Sequence, residues 1–345
     1  MHFIWVIVFI LMDFRSNLYV PMENRTNVLI NLLHPCFEMN LFSYKLTTPS
    51  AVCVIVQVFL TLLSLVTVCG NLLVIISISY FKQLHTPTNT LIQSLAVADL
   101  LVGVLAFPLT MSFSFTSCFY DNNMFCKIKN SFDVLLSTCS ILHMCCISVD
   151  RYYAVCQPLT YRSKISLHVV IIMIVISWGL SVLTAIGVII SRLNTEECLD
   201  ACFIDIIMTN IVGPLTSFYL PVVIMVCIYL KIFVVAQRQA RSIQTKKNSG
   251  ATVSKMERKA TKTLAIVLGA FLFCWAPFFL SFTLAPFSNS FVMVSVIEST
   301  SWFALINSTL NPFIYAFFYS WFRSAFKIIV SGKIFVGNYG NLKLN

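Results

Sequence analysis

Residues 126–153 read CKIKNSFDVLLSTCSILHMCCISVDRYY, and the fold turns on this stretch. From Phe132 to Val149 the side chains are mostly apolar or small, with no Pro or Gly among them. At ~1.5 Å per residue such a run crosses the hydrocarbon of a bilayer as one helix. Cys126 stands at its start, Asp133 about two turns further in, and Asp150-Arg151-Tyr152 closes the apolar run. On a helix the two acids lie roughly 25 Å apart, so they belong to opposite ends of the membrane. No Lys or Arg adjoins Asp133, so it is expected to be an unpaired intramembrane carboxylate. Such a group is costly in hydrocarbon and marks a candidate functional site facing a protein interior or a wet cavity. Two readings stand together: Asp133 binds a cation, or it only hydrogen-bonds neighbouring helices or sits protonated.

The rest of the chain has the same character. Of its 345 residues 58% are hydrophobic and 10% charged, with 30 phenylalanines, which excludes an ordinary soluble domain. The expected fold is an all-α membrane protein, a seven-transmembrane helix bundle with a short amphipathic helix after the seventh span. Most of the 23 Lys and Arg residues fall on one side once the spans are drawn, among them Arg162, Lys164, Arg238, Lys246 and Lys327. The positive-inside rule then puts the amino terminus outside and the carboxyl terminus in the cytoplasm of a multi-pass protein. The net charge of +10 flanks membrane spans, which fits contact with membrane lipid and argues against nucleic acid as a partner.

Three regions follow: an outer tail at 1–48, the bundle at 49–319, and an amphipathic helix with the inner tail at 320–345. The apolar run Met1–Met12 is too short to span, and is either a signal-like segment or an over-extended start, with Met1, Met12 or Met22 as the first residue. Asn24-Arg25-Thr26 is a glycosylation sequon in the outer tail. Besides the opening stretch, spans are expected at Pro49–Tyr80, Thr88–Ser114, Leu167–Ile190, Asp205–Val235 and Val292–Phe318, with another through Pro277. Arg238 to Lys262 is expected to be a basic inner loop. Pro277 and Pro312 each remove a backbone bond in mid-helix and make a kink.

A second acid, Asp99, falls midway along the second span. Asn71, Ser140, Asn307 and Asn311 can keep it company, as a polar pocket holding a sodium ion or as a water-filled hydrogen-bond cluster. No other cofactor is expected. Cys36, Cys118, Cys126, Cys198 and Cys202 lie outside, where disulfides form, but their odd number leaves one over and their spacing leaves the connectivity open. The remaining cysteines are expected to be small buried hydrophobes.

Asp150-Arg151-Tyr152 in the third span, Trp275-Ala276-Pro277 in the sixth and Asn311-Pro312-Phe313-Ile314-Tyr315 in the seventh together resemble the rhodopsin-like G-protein-coupled receptors, from about Pro49 to Val330. Residues 307–322, NSTLNPFIYAFFYSWF, look like the signature of the trace amine-associated receptors within that class, as do residues 81–89, FKQLHTPTN, and the pair Cys198 and Cys202.

The resemblance implies that Asp133 holds the ammonium of a volatile or small amine. Ser137, Ser217, Trp275, Phe278, Phe279, Trp302 and Leu305 would surround it, the aromatic residues as one wall adding cation–π attraction, with Phe203 as a lid. It also implies the disulfides Cys126–Cys202 and Cys36–Cys198, with Cys118 over. On the inner side, Arg151 would pair with Asp150 and with Glu257 at rest. Release of that pair would let the sixth helix swing about Pro277, with Tyr152, Pro312 and Tyr315 in the switch, to admit a heterotrimeric G protein of the stimulatory type.

Two positions depart from the pattern. Leu305 stands where amine receptors place a tyrosine against the binding aspartate. Gly213 and Pro214 stand where diamine-tuned members carry an acid, which favours a monoamine, although Asp205 and Glu298 at the rim offer a second carboxylate. Within receptors the alternative is a serotonin-like biogenic amine receptor. A transporter or channel using Asp133 and Asp99 is a different class, disfavoured by the lack of an inverted repeat or a ring of like charges. No nucleophile–base set marks an enzyme. The family resemblance also implies olfactory expression at the plasma membrane.

Overall fold

The computed structural model describes residues 51–116, 123–193, 212–245, 251–284 and 291–332, and every regular element among them is helical. Helix α1 (Ala51–Tyr80) is followed by one 3-10 turn at Lys82–Leu84 and by α2 (Pro87–Leu101). Thr86 caps α2 by accepting the Asn89 N–H at 3.3 Å, with Pro87 pre-set at the first helical position. A π-helical turn, Val102–Ala106, leads on into α3 (Phe107–Thr116). Then come α4 (Asn123–Cys156), the short α5 (Pro158–Lys164) and α6 (Leu167–Leu193). A second π turn, Leu215–Tyr219, opens α7 (Leu220–Thr245), followed by α8 (Ala251–Leu284), α9 (Phe291–Phe318) and α10 (Ser320–Val330).

Six spans among the described residues are long and apolar enough to cross a membrane, and α9 with α10, a pair bent by 105°, passes the same test only when the two are taken together. The expected span Thr88–Ser114 is thus not one uniform helix but α2 and α3 joined through a wider turn. Both π turns end two residues before a proline, Pro108 and Pro221. A proline ring crowds the carbonyl four residues back and leaves it without a donor, and one extra residue in the preceding turn relieves the clash. The expected loop from Arg238 to Lys262 is also corrected: α7 runs on to Thr245 and α8 begins at Ala251. Its Gln, Arg, Lys and Ala residues are good helix formers, so the helices continue past the apolar spans.

The bundle is apolar outside and polar within. Ile55, Leu62, Val175, Leu183 and Leu230 are exposed, whereas Thr67, Asn71, Asp99, Ser140, Asn307 and Asn311 are buried. Solvation by lipid explains the outer surface, and hydrogen bonding between helices the inner one. Pro312 frees the carbonyl of Ser308, and Asn71 of α1 donates to that oxygen at 3.1 Å. Beside it Thr67 and Thr309 share a 2.6 Å hydrogen bond, and a Cβ on Gly70 would come within 2.9 Å of the Pro312 ring. Glycine is therefore what lets α1 approach the kink of α9. At the far end of α9, Arg323 donates to the carbonyls of Ala316 and Phe317, each at 3.0 Å, closing the helix terminus. Phe322 and Ala325 of α10 are buried while Arg323, Phe326 and Lys327 are exposed, as expected of an amphipathic helix.

Candidate ligand-binding site

Helix α4 carries Lys129 and Asp133 one turn apart on one face, with Lys129 Nζ 2.6 Å from Asp133 Oδ2. The expectation of an unpaired carboxylate is therefore overturned. Residues four apart in sequence are neighbours on a helix even though neither adjoins the other in the chain. The pair leaves the aspartate half satisfied. Its side chain is 31% exposed, yet Oδ1 is shielded and has no hydrogen-bond partner among the described residues. A shielded carboxylate oxygen without a donor is costly, and marks where a donor is wanted.

Leu136, on the same face of α4, belongs to an apolar cluster with Val102, Ala106 and Phe107, against which Trp302 and Leu305 pack. The Trp302 ring nitrogen is buried without a hydrogen-bond partner among the described residues. Ser137 donates to Val134 O at 3.1 Å, and Ser217 to Gly213 O at 2.7 Å, so each hydroxyl closes on its own helix. Trp275, Phe278 and Phe279 belong to another cluster, built on Phe218, Phe271, Met144 and Ala304. Phe279 stacks on Phe218 with centroids 4.1 Å apart and planes 7° from parallel, and meets Phe278 edge-on at 5.2 Å. The single aromatic wall expected from sequence is thus two groups, one on the α8 kink and α7, the other on α9, α2 and α3. Phe218 was not foreseen; its signal is an aromatic residue between Pro214 and Pro221, where the span is already irregular.

Midway down the bundle Asn311 donates to Asp99 Oδ2 at 2.6 Å. Asp99 Oδ1, Asn71 Oδ1, Ser140 Oγ and the Asn307 amide nitrogen are all buried without hydrogen-bond partners among the described residues. Three of these, from α1, α2 and α4, are oxygens of the kind a hard cation takes, and together with the Asn307 N–H of α9 they make a set that ordered water also satisfies.

At the opposite end of α4, Asp150 is wholly buried and surrounded by donors. Arg151 donates to its Oδ2 from Nε at 2.8 Å and from the terminal guanidinium. Thr88 of α2 donates to both carboxylate oxygens, at 3.0 and 3.2 Å, and Tyr161 of α5 donates to Oδ1 at 2.9 Å. Burial pushes the Tyr161 phenol above its ordinary pKa, so it remains a donor. Neither Thr88 nor Tyr161 was foreseen, since nothing local in sequence ties either to Asp150. Lys231 of α7 lies over the Tyr152 ring, 5.9 Å from its centroid. Pro277 and Pro312 stand inside α8 and α9 as expected, and Tyr315 is buried in a cluster with Val74, Ile78 and Phe322.

Asn24, Cys36, Cys118, Cys198, Cys202, Phe203 and Asp205 lie outside the described residues, as do the side chains of Cys126, Glu257 and Glu298. Cys69, Cys139, Cys145, Cys146, Cys156, Cys227 and Cys274 are free thiols; Cys139 and Cys274 are buried as expected, whereas Cys69 and Cys227 are exposed and the other three half-buried, so the expectation of buried small hydrophobes is corrected for those five.

Seven spans, with Asp150-Arg151 closing one and prolines inside two others, define a helical membrane receptor, and residues 70–315 match the 7 transmembrane receptor (rhodopsin family). Trace amine-associated receptor 1 of Macaca mulatta is 46% identical over 307 residues, covering 83% of this chain and 90% of that protein. Its Homo sapiens counterpart is 44% identical over 307 residues, with the same coverage of 83% and 90%. Trace amine-associated receptor 2 of Mus musculus is 43% identical over 291 residues, covering 81% of this chain and 85% of that receptor. The chain belongs to the rhodopsin family of seven-transmembrane receptors and, within it, to the trace amine-associated receptors, a family of receptors rather than enzymes.

Proposed function

We propose that this protein is a plasma-membrane receptor that binds the ammonium group of a small amine at Asp133 and activates a heterotrimeric G protein, raising cAMP through the stimulatory type. The observation that carries the reading is the shielded, partnerless Oδ1 of Asp133 on an intramembrane carboxylate. An ammonium placed there gains a charge-assisted hydrogen bond in poorly hydrated surroundings. The names of the relatives point to the same ligand class. In this reading the amino terminus is extracellular and the carboxyl terminus cytoplasmic, which the distribution of basic residues supports. Trp302 and Leu305 form an apolar side of the pocket, and Trp275, Phe278 and Phe279 stand at the hinge of α8.

A sodium ion at Asp99, Ser140, Asn307 and Asn311 would stabilise the resting arrangement by filling the unpartnered oxygens. Release of Arg151 from Asp150, and from Glu257, would free α8 to swing about Pro277. The test is a cAMP reporter in cells expressing the full chain, screened with primary, tertiary and diamines against wild type and Asp133→Ala at matched surface levels. The reading requires an amine that activates wild type and leaves the variant silent. Equal responses in both would place the ammonium elsewhere.

A further inference from the structure

We infer that the joint between α5 and α6 is a binding site for a phosphoinositide, a phospholipid whose headgroup carries phosphate monoesters, with the headgroup on Arg162, Lys164 and His168 and an acyl chain along α6. The inference concerns the inner end of the bundle and does not depend on what Asp133 holds. The joint is anchored on both sides. Tyr161 of α5 donates to Asp150 at 2.9 Å, and Ile165, between the two helices, is buried in a cluster with Leu91 and Val170. Both anchors point into the bundle, so Arg162, Lys164 and His168, all exposed, are displayed outward within seven residues of chain. Asp150 is wholly buried and already takes donors from Arg151, Thr88 and Tyr161. Neither Arg162 nor Lys164 forms an ion pair among the described residues.

Beyond these cations α6 presents an apolar stripe. Ile172, Val175, Gly179 and Leu183 follow His168 at steps of four, three, four and four residues, which keeps them on one helical face. Ile172, Val175 and Leu183 are 57, 63 and 64% exposed. From Ile172 to Leu183 the stripe runs roughly 16 Å, about the depth of one leaflet of hydrocarbon. Gly179 is a notch in it. A Cβ added at Gly70 or Gly103 would come within 2.9 or 2.8 Å of another side chain, whereas one at Gly179 would meet nothing within 4 Å. No neighbouring helix needs this glycine, and its missing side chain leaves room for a chain lying against α6. Cations at the membrane surface with an apolar channel beside them match an anionic amphiphile. A phosphate monoester carries about −1.5 to −2 charges at neutral pH, so two on one inositol ring concentrate far more charge than the headgroup of phosphatidylserine. Arg162 offers a planar fork to phosphate oxygens, Lys164 a point charge and His168 a ring N–H. Such lipids belong to the cytoplasmic leaflet, the side to which the basic residues assign this joint.

The test is competition for phosphatidylinositol 4,5-bisphosphate labelled on its acyl chain, read by fluorescence anisotropy on the full-length receptor in neutral detergent micelles. The unlabelled lipid is expected to displace the label at a concentration about tenfold or more below that needed by phosphatidylserine. Arg162→Gln combined with Lys164→Gln is expected to weaken binding of the labelled lipid by about tenfold or more. Lys82→Gln combined with Lys327→Gln removes the same charge from the turn after α1 and from α10, and is expected to change it by less than about twofold. Soluble inositol 1,4,5-trisphosphate has the phosphates without an acyl chain, and is expected to need about tenfold more than the lipid. No binding to wild type, equal displacement by phosphatidylserine, unchanged binding in the Arg162 and Lys164 variant, or an equal loss in the Lys82 and Lys327 variant each overturn the inference. Displacement by the trisphosphate at the lipid's own concentration overturns it too, since the ligand would then be a soluble phosphate. The wild-type rankings decide alone should a variant not fold.

Discussion

Asp133 and Asp150 stand on the same helix, each beside a basic side chain, yet one is half filled and the other saturated. Asp150 is wholly buried and takes donors from Arg151, Thr88 and Tyr161, which tie α2, α4 and α5 together. Asp133 is paired with Lys129 through one oxygen, while the other has no donor among the described residues. A buried carboxylate with its lone pairs occupied is a structural knot, and changing it costs stability. One with an empty lone pair has already been desolvated and awaits a donor, so changing it costs binding. Asp99 lies between the two in position and in character, held by Asn311 on one oxygen and unfilled on the other.

The contrast is broken most easily at its larger end. Asp133→Ala is expected to lower amine potency by about 100-fold or more, since losing one partner of a poorly solvated ion pair costs ~3–5 kcal/mol, read as the cAMP dose response at equal surface expression. Asp150→Ala is expected to cost ~3 kcal/mol of folding stability by stranding the Arg151 guanidinium, seen as a lower thermal midpoint of the solubilised receptor. A control away from both acids is Gly70→Ala. Its added Cβ would meet Pro312 at 2.9 Å, and the overpacking is expected to cost ~1–3 kcal/mol in the same melting experiment with ligand affinity little changed. The finest comparison is Tyr161→Phe, which removes one donor to Asp150 and is expected to cost ~1.5 kcal/mol. A melting loss from Tyr161→Phe as large as that from Asp150→Ala would mean that the phenol, rather than the arginine, is the main partner.

The spans, the two proline kinks, the amphipathic α10 and the meeting of Asp99 with Asn311 were legible in the chain. Apolar run length, a missing N–H and a buried acid each leave a local or compositional mark. Lys129 was legible too, but only through helical spacing rather than adjacency, and it changes the chemistry of the site. Thr88 and Tyr161 left no such mark. Their bond to Asp150 depends on how α2 and α5 pack on α4, which no short-range pattern encodes. The π turns sit before Pro108 and Pro221, but not every proline has one, since α8 and α9 run through Pro277 and Pro312 without it. Whether a proline widens the turn before it or only kinks the helix depends on what neighbouring helices offer the freed carbonyl. At Pro312 that is the Asn71 amide, which belongs to another span. The division of the aromatic residues into two groups was likewise hidden, because Trp275 and Trp302 look alike in sequence and differ only in which helices surround them.

The central claim is that of the two acids on α4 only Asp133 holds the ligand. The most direct test is saturation binding of the most potent radiolabelled amine to membranes carrying wild type, Asp133→Asn and Asp150→Asn, normalised to receptor number. The account predicts that Asp133→Asn loses specific binding, while Asp150→Asn keeps the wild-type affinity in whatever receptor folds. Wild-type affinity in Asp133→Asn would contradict it.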